Sequence, residues 1–151
     1  MLTAAINAGL HYLGFMVLFV CLVLEHLWIK PELPRQQARL LMKVDALYGI
    51  AAVVVLGTGL ARLLVFDKPL EFYSGNPAFH LKMALFVIVG LLSIYPTVVF
   101  LRWRTVLKDA KTTIISLPTA GKLMMVVRIE LLLVLCIPFA AALMARGIGL
   151  N

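Results

Sequence analysis

The residues of this 151-residue chain most able to do chemistry are the ionisable ones set within or at the ends of apolar stretches, and they fall into two groups. The first holds His11, Arg62, His80 and Lys82, with Tyr73 and Arg146 nearby. It is rich in cations and donors. Its nearest carboxylates, Asp67 and Glu71, lie in a connection outside the apolar stretches. Such a set suits an anion, or a haem b whose propionates meet the cations while a histidine ligates the iron. The plainer alternative has the long cations snorkelling to lipid headgroups and His11 donating to a backbone carbonyl.

The second group holds Glu25, His26, Asp45, Tyr48, Arg128 and Glu130, with Tyr95 close by. An ionisable side chain at mid-membrane costs about 2.5–3.5 kcal/mol on insertion scales, so these residues are expected to face protein. Arg128 lies too deep to snorkel cheaply and is expected to pair with at least one of Glu25, Asp45 or Glu130. A paired cluster would tie helices together; its other use is a protonatable relay or an ion entry site. Glu25 and His26 do not form a metal motif, because adjacent residues point about 100° apart on a helix.

Other chemistries find little support. Cys21 and Cys136 read as two buried thiols without a CxxC spacing. The seven methionines are scattered apart from Met124-Met125 and read as packing. No Ser/His/Asp or Cys/His set can be assembled, which argues against a hydrolase.

Four apolar stretches must position these residues. They run from about Thr3 to Ile29, Met42 to Phe66, Pro77 to Leu101 and Gly121 to Ala145. A helix over the first rises about 40 Å, enough to cross a bilayer. Asn7, His11, Gly14, Leu18 and Glu25 share one side of it, so His11 is expected to face the bundle interior. Gly14, one turn below, would leave room for a neighbouring helix or a flat ligand. In the second stretch Asp45, Tyr48, Ala52, Val55, Gly59 and Arg62 share a face, and Gly57 and Gly59 permit close helix approach. Asn76-Pro77 reads as an N-cap and first helical residue, and Pro96 as a kink. Trp28 and Lys30 read as interface anchors at the end of the first stretch, and Arg102, Trp103 and Arg104 mark the exit of the third. Val106 to Thr119 reads as a linker lying along the membrane surface.

Depth bears on the haem reading. His11 lies about 12 Å inside the first helix, and His80 about 4–5 Å inside the third, at 1.5 Å per residue. That offset disfavours a His11/His80 pair and leaves His11 as the better single iron ligand.

Composition agrees with a membrane setting. The chain is 63% hydrophobic, above the roughly 45–50% of globular domains, with a mean hydropathy of +1.03. A single all-α domain over residues 1–151, a bundle of four transmembrane helices, uses the whole length. The first stretch lacks a basic n-region and a cleavage site, so it is expected to be retained as a span. The net charge of +7 sits in connections beside apolar spans, which points to anionic lipid and not to nucleic acid. A homo-oligomer or a membrane-protein partner is compatible with so small a bundle.

The run Val44-Asp45-Ala46-Leu47-Tyr48-Gly49, the stretch GTGLAR ending at Arg62, the segment from Asn76 to Trp103 and the tail ALMARGIG together resemble an uncharacterised bacterial family of predicted four-helix integral membrane proteins. That resemblance covers essentially the whole chain. It implies the fold and a bacterial inner-membrane location, and brings no established activity. His11, His80 and Lys82 are also similar to positions in the four-helix membrane protoporphyrinogen oxidases, which would imply haem b and porphyrinogen oxidation. Three functions follow as expectations: a binding or assembly role with polar sites at both ends of the bundle, a haem-linked oxidoreductase, or a small-solute or proton pathway.

Orientation follows from basic charge. The first and third connections with their flanks carry Lys30, Arg35, Arg39, Lys43, Arg102, Arg104, Lys108, Lys111 and Lys122, whereas the opposite side carries Arg62, Lys68, Lys82 and Arg146. Cytoplasmic loops carry the excess, so both termini are expected in the periplasm. A phosphatase reporter fused after Asn151 should be active; a fusion that is inactive while its fluorescent counterpart glows would reverse the orientation.

Overall fold

In a computed structural model, residues 1–66, 75–109 and 113–146 are described. Tyr73, Asp67, Lys68, Glu71, Lys111 and the tail after Arg146 lie outside them. Four long helices account for most of the structure: α1 (Leu2–Trp28), α2 (Arg35–Ala61), α3 (Pro77–Val106) and α4 (Ala120–Ala145). Each is long and apolar enough to cross a membrane. With no water to receive a backbone N–H or C=O in hydrocarbon, the helix satisfies these groups within the segment. Helix α1 packs chiefly along α2, and α3 along α4; contacts of α1 with α4 and of α2 with α3 close the ring.

Local signals explain the boundaries. Pro34 precedes α2, and Arg35-Gln36-Gln37-Ala38-Arg39-Leu40 are good helix formers, so α2 begins about two turns earlier than the apolar stretch indicates. Helix α3 opens as the sequence suggests: the Asn76 side chain accepts a 2.9 Å bond from the Ala78 N–H, and Pro77 follows the cap. Pro96 in α3 and Pro138 in α4 lie inside their helices without ending them. At its far end α2 passes into a π-helical turn, Arg62–Phe66.

The linker after α3 carries a strand that the sequence did not suggest. Strand β2 (Ile114–Ser116) pairs antiparallel with β1 (Glu32–Pro34), with Leu33 opposite Ile115. The Arg35 N–H donates to Thr113 O at 2.9 Å and the Leu117 N–H to Pro31 O at 2.7 Å, which extends the pairing on both sides. Leu33, Ile115 and Leu117 are buried beneath this clasp. The physical reason is that alternation places the apolar side chains of both segments on one face, which the helix ends then cover. Arg35 ties the clasp to α3, donating to the carbonyls of Leu107 at 2.7 Å and Asp109 at 2.6 Å.

The core is concentrated toward the clasp end and the middle of the bundle, around Leu18, Leu22, Leu41, Phe100, Leu123 and Val127. Trp103 belongs to it, buried with its ring 5.0 Å from that of Phe100. Cys21 is buried, but Cys136 is exposed, contrary to the expectation of two buried thiols. Outward faces carry Leu13, Met16, Ile50, Val53, Leu91 and Leu132, a surface suited to acyl chains.

Gly14 sits at the closest approach of α1 and α2. A Cβ there would stand 3.1 Å from Val55 Cγ2 and 3.3 Å from Val54 Cγ1, so the glycine serves helix contact and leaves no slot for a flat ligand. Gly14→Leu is therefore expected to destabilise the bundle by about 1–3 kcal/mol through overpacking. Gly90→Leu, at a position with nothing within 4 Å, should change little. Thermal unfolding in detergent measures both; equal stability of the two variants would contradict this packing.

Candidate functional site

At the end of the bundle that carries both termini, His11, Asn7 and Thr58 form a small network. The Asn7 side chain donates to the Thr58 carbonyl at 3.0 Å. Thr58 Oγ1 lies 2.6 Å from Val54 O and 3.2 Å from Val55 O, which can only accept. A hydroxyl has one proton, and here it is committed to those carbonyls. Thr58 Oγ1 must then accept from His11 Nδ1, 2.9 Å away. The arrangement puts the ring proton on Nδ1 and leaves Nε2 as the acceptor. His11 thus faces the bundle, as its helix face implies, and lies against Gly59, whose added Cβ would stand 3.3 Å from His11 Cε1.

A pocket opens beside this ring. It has two adjoining lobes of about 200 and 70 Å³, and His11, Phe15, Gly59, Leu63, Phe79 and Lys82 line both. Arg62 and Tyr12 line the larger, with the guanidinium 5.9 Å from the centre of the Tyr12 ring. Ile137, Pro138 and Ala141 of α4 complete the larger lobe, so all four helices contribute. Arg62 and Leu63 reach it from the π-helical turn, a local widening that frequently marks functional positions. Of the residues singled out in sequence, the structure brings together His11, Arg62 and Lys82. It does not bring His80, which is exposed, packs edge-on to Phe79 at 5.8 Å and is absent from the lining. Arg146 is likewise exposed and outside the lining.

The second group converges only in part. Glu25 of α1, Asp45 and Tyr48 of α2, and Glu130 of α4 are all buried and within electrostatic range of one another. Thr97 donates to Asp45 Oδ1 at 2.7 Å. Ser93 donates to Gly90 O at 2.8 Å and lies beside the Tyr48 hydroxyl. Glu25 Oε1 and both carboxylate oxygens of Glu130 have no hydrogen-bond partner among the described residues.

Arg128 does not balance these acids. It is exposed, and its guanidinium lies 3.5 Å from Met124 Sδ, one turn back on its own helix. The expectation of an Arg128 ion pair is therefore corrected. Arg128 is two residues from Glu130, about 200° around the helix, so the two cannot face the same way. His26 is half-buried, with Nδ1 buried and without a hydrogen-bond partner among the described residues. Among the described residues neither Arg128 nor His26 pairs with Glu25, Asp45 or Glu130. Among those residues no group of three or more His, Cys, Asp or Glu side chains is placed to hold a metal ion.

Sequence reasoning missed three hydroxyls that organise both sites: Thr58, Ser93 and Thr97. Ser93 and Thr97 did carry a signal, since four-residue spacing places them on one helix face. The residues do not fit a haem. The lobes are smaller than the roughly 300 Å³ at which pockets for drug-sized ligands begin, and a haem is larger than most such ligands. His80 offers no second axial ligand, and Gly14 faces α2.

The histidine network makes a spectroscopic prediction. Nitrogen-15 NMR of His11 in the neutral state should show the proton on Nδ1. Thr58→Val removes the acceptor, which should mix the two tautomers and lower stability by about 0.5–1.5 kcal/mol. An unchanged tautomer in the variant would mean that Thr58 does not set it.

No curated protein matches this chain, and no solved structure does. The likeness to the protoporphyrinogen oxidases is not shown by these comparisons. A family model matches residues 3–149, nearly the whole chain, and its membrane description agrees with four helices fit to span a bilayer. The chain belongs to that family, the DUF2214 predicted membrane proteins.

Proposed function

We propose that the protein is a binding protein of the bacterial cytoplasmic membrane, with both termini periplasmic, and that it holds a small carboxylate with an apolar body. One observation carries the reading: His11, Arg62 and Lys82, from three separate segments, meet at one largely apolar pocket. Arg62 presents a planar fork suited to a carboxylate and Lys82 a compact charge. Arg has five N–H donors and Lys three. Nε2 of His11 supplies an acceptor for a hydroxyl or N–H on the same ligand. Phe15, Leu63, Phe79 and Ile137 receive the apolar body. The pocket volume restricts the ligand to something well below haem size. The excess of basic residues on the two clasp-end connections supports the orientation.

A panel of small aromatic and branched aliphatic carboxylates, each paired with its neutral amide, tests the site in detergent by thermal shift and calorimetry. Carboxylates should bind and stabilise, and amides should not. Lys82→Met should weaken binding about ten- to a hundredfold, the scale of a lost charged hydrogen bond of about 1.5–3 kcal/mol. Equal binding of acids and amides, or full binding by Lys82→Met, would refute the assignment.

A further inference from the structure

A cleft of about 630 Å³ lies between α2 and α3 at the clasp end, away from the histidine pocket. Three exposed cations line it: Arg39 and Lys43 of α2, and Arg104 in the last turn of α3. Arg39 and Lys43 are four residues apart and so share a helix face. Asp45 also lines the cleft, about 9 Å along the axis from Arg39 at 1.5 Å per residue. The structure gives its carboxylate one hydrogen bond, from Thr97 to Oδ1, which leaves Oδ2 to accept from an occupant. Phe100 and Leu101 form an apolar wall. Gly49 and Leu101 lie on the exposed, lipid-facing surface, and nothing stands within 4 Å of where a Gly49 Cβ would be. The cleft therefore opens sideways toward acyl chains as well as toward the charged end.

We propose that this cleft binds an anionic glycerophospholipid whose headgroup carries a free hydroxyl. The phosphate sits among Arg39, Lys43 and Arg104, the headgroup hydroxyl donates to Asp45, and the upper acyl carbons lie against Phe100 and Leu101. Three cations against one carboxylate favour an anionic occupant over a zwitterionic one. Asp45 adds a second level of selection. It repels a headgroup that carries its own carboxylate and rewards one that carries a donor, so a glycerol headgroup suits it and a serine or choline headgroup does not. The sideways opening and the apolar wall favour a lipid over a soluble phosphate, because a free anion would leave that wall uncovered.

The full-length protein in detergent, supplied with defined lipids and read by native mass spectrometry and thermal shift, tests this. Phosphatidylglycerol should bind at least tenfold more tightly than phosphatidylcholine, phosphatidylserine or phosphatidylethanolamine. Arg104→Gln should remove that preference. Gly49→Leu, which projects into open space and should leave the fold intact, should block the cleft and reduce phosphatidylglycerol binding to the level of phosphatidylcholine. Asp45→Ala, if it folds, should accept phosphatidylserine as well as phosphatidylglycerol. Equal binding of all four lipids, or phosphatidylglycerol binding untouched by both Gly49→Leu and Arg104→Gln, would overturn the proposal. Displacement of the lipid by glycerol 3-phosphate at comparable concentration would also overturn it, by making the ligand a soluble one.

Discussion

The absence of water as a hydrogen-bond partner inside a bilayer governs this structure. Every polar group carried into the apolar slab must find a partner in the protein or go without. The helices satisfy the backbone, and small hydroxyls deal with much of what remains. Thr58 returns its proton to Val54 and accepts from His11. Ser93 returns its proton to Gly90 and sits beside the Tyr48 hydroxyl. Thr97 donates to Asp45. Each threonine or serine turns a potentially orphaned group into an oriented one, which is why the polar residues of the spans hold defined positions.

The same constraint makes the two ends of the bundle different. At the clasp end the chain leaves the slab and can use a strand pair, with Leu33 and Ile115 buried against the helix ends and Arg35 donating to carbonyls beyond α3. At the other end α2 widens into a π-helical turn, and Gly59 brings the His11 ring against α2. The histidine pocket lies at this second end. Between the two ends Glu25 and Glu130 keep carboxylate oxygens without a hydrogen-bond partner among the described residues. Replacing such groups by apolar ones is often neutral or stabilising, so their presence is not explained by stability.

Much of this was legible in the sequence, for physical reasons tied to particular residues. Four apolar stretches of bilayer-spanning length determined four transmembrane helices, because hydrocarbon admits few other single-chain solutions. Asn76-Pro77 determined the start of α3, since cap chemistry is local. The shared face of Asn7, His11 and Gly14 determined that His11 turns inward, since helical periodicity is fixed. Tertiary structure decided what depends on which helix lies beside which, and on rotation about their axes. It turned His80 and Arg128 outward although their sequence positions suited the sites, and it buried Trp103. It joined Glu32–Pro34 to Ile114–Ser116, segments far apart in the chain, a pairing that no local pattern specifies. It also gathered His11, Arg62 and Lys82 at one pocket, because only the packed bundle sets the distances between side chains on separate helices.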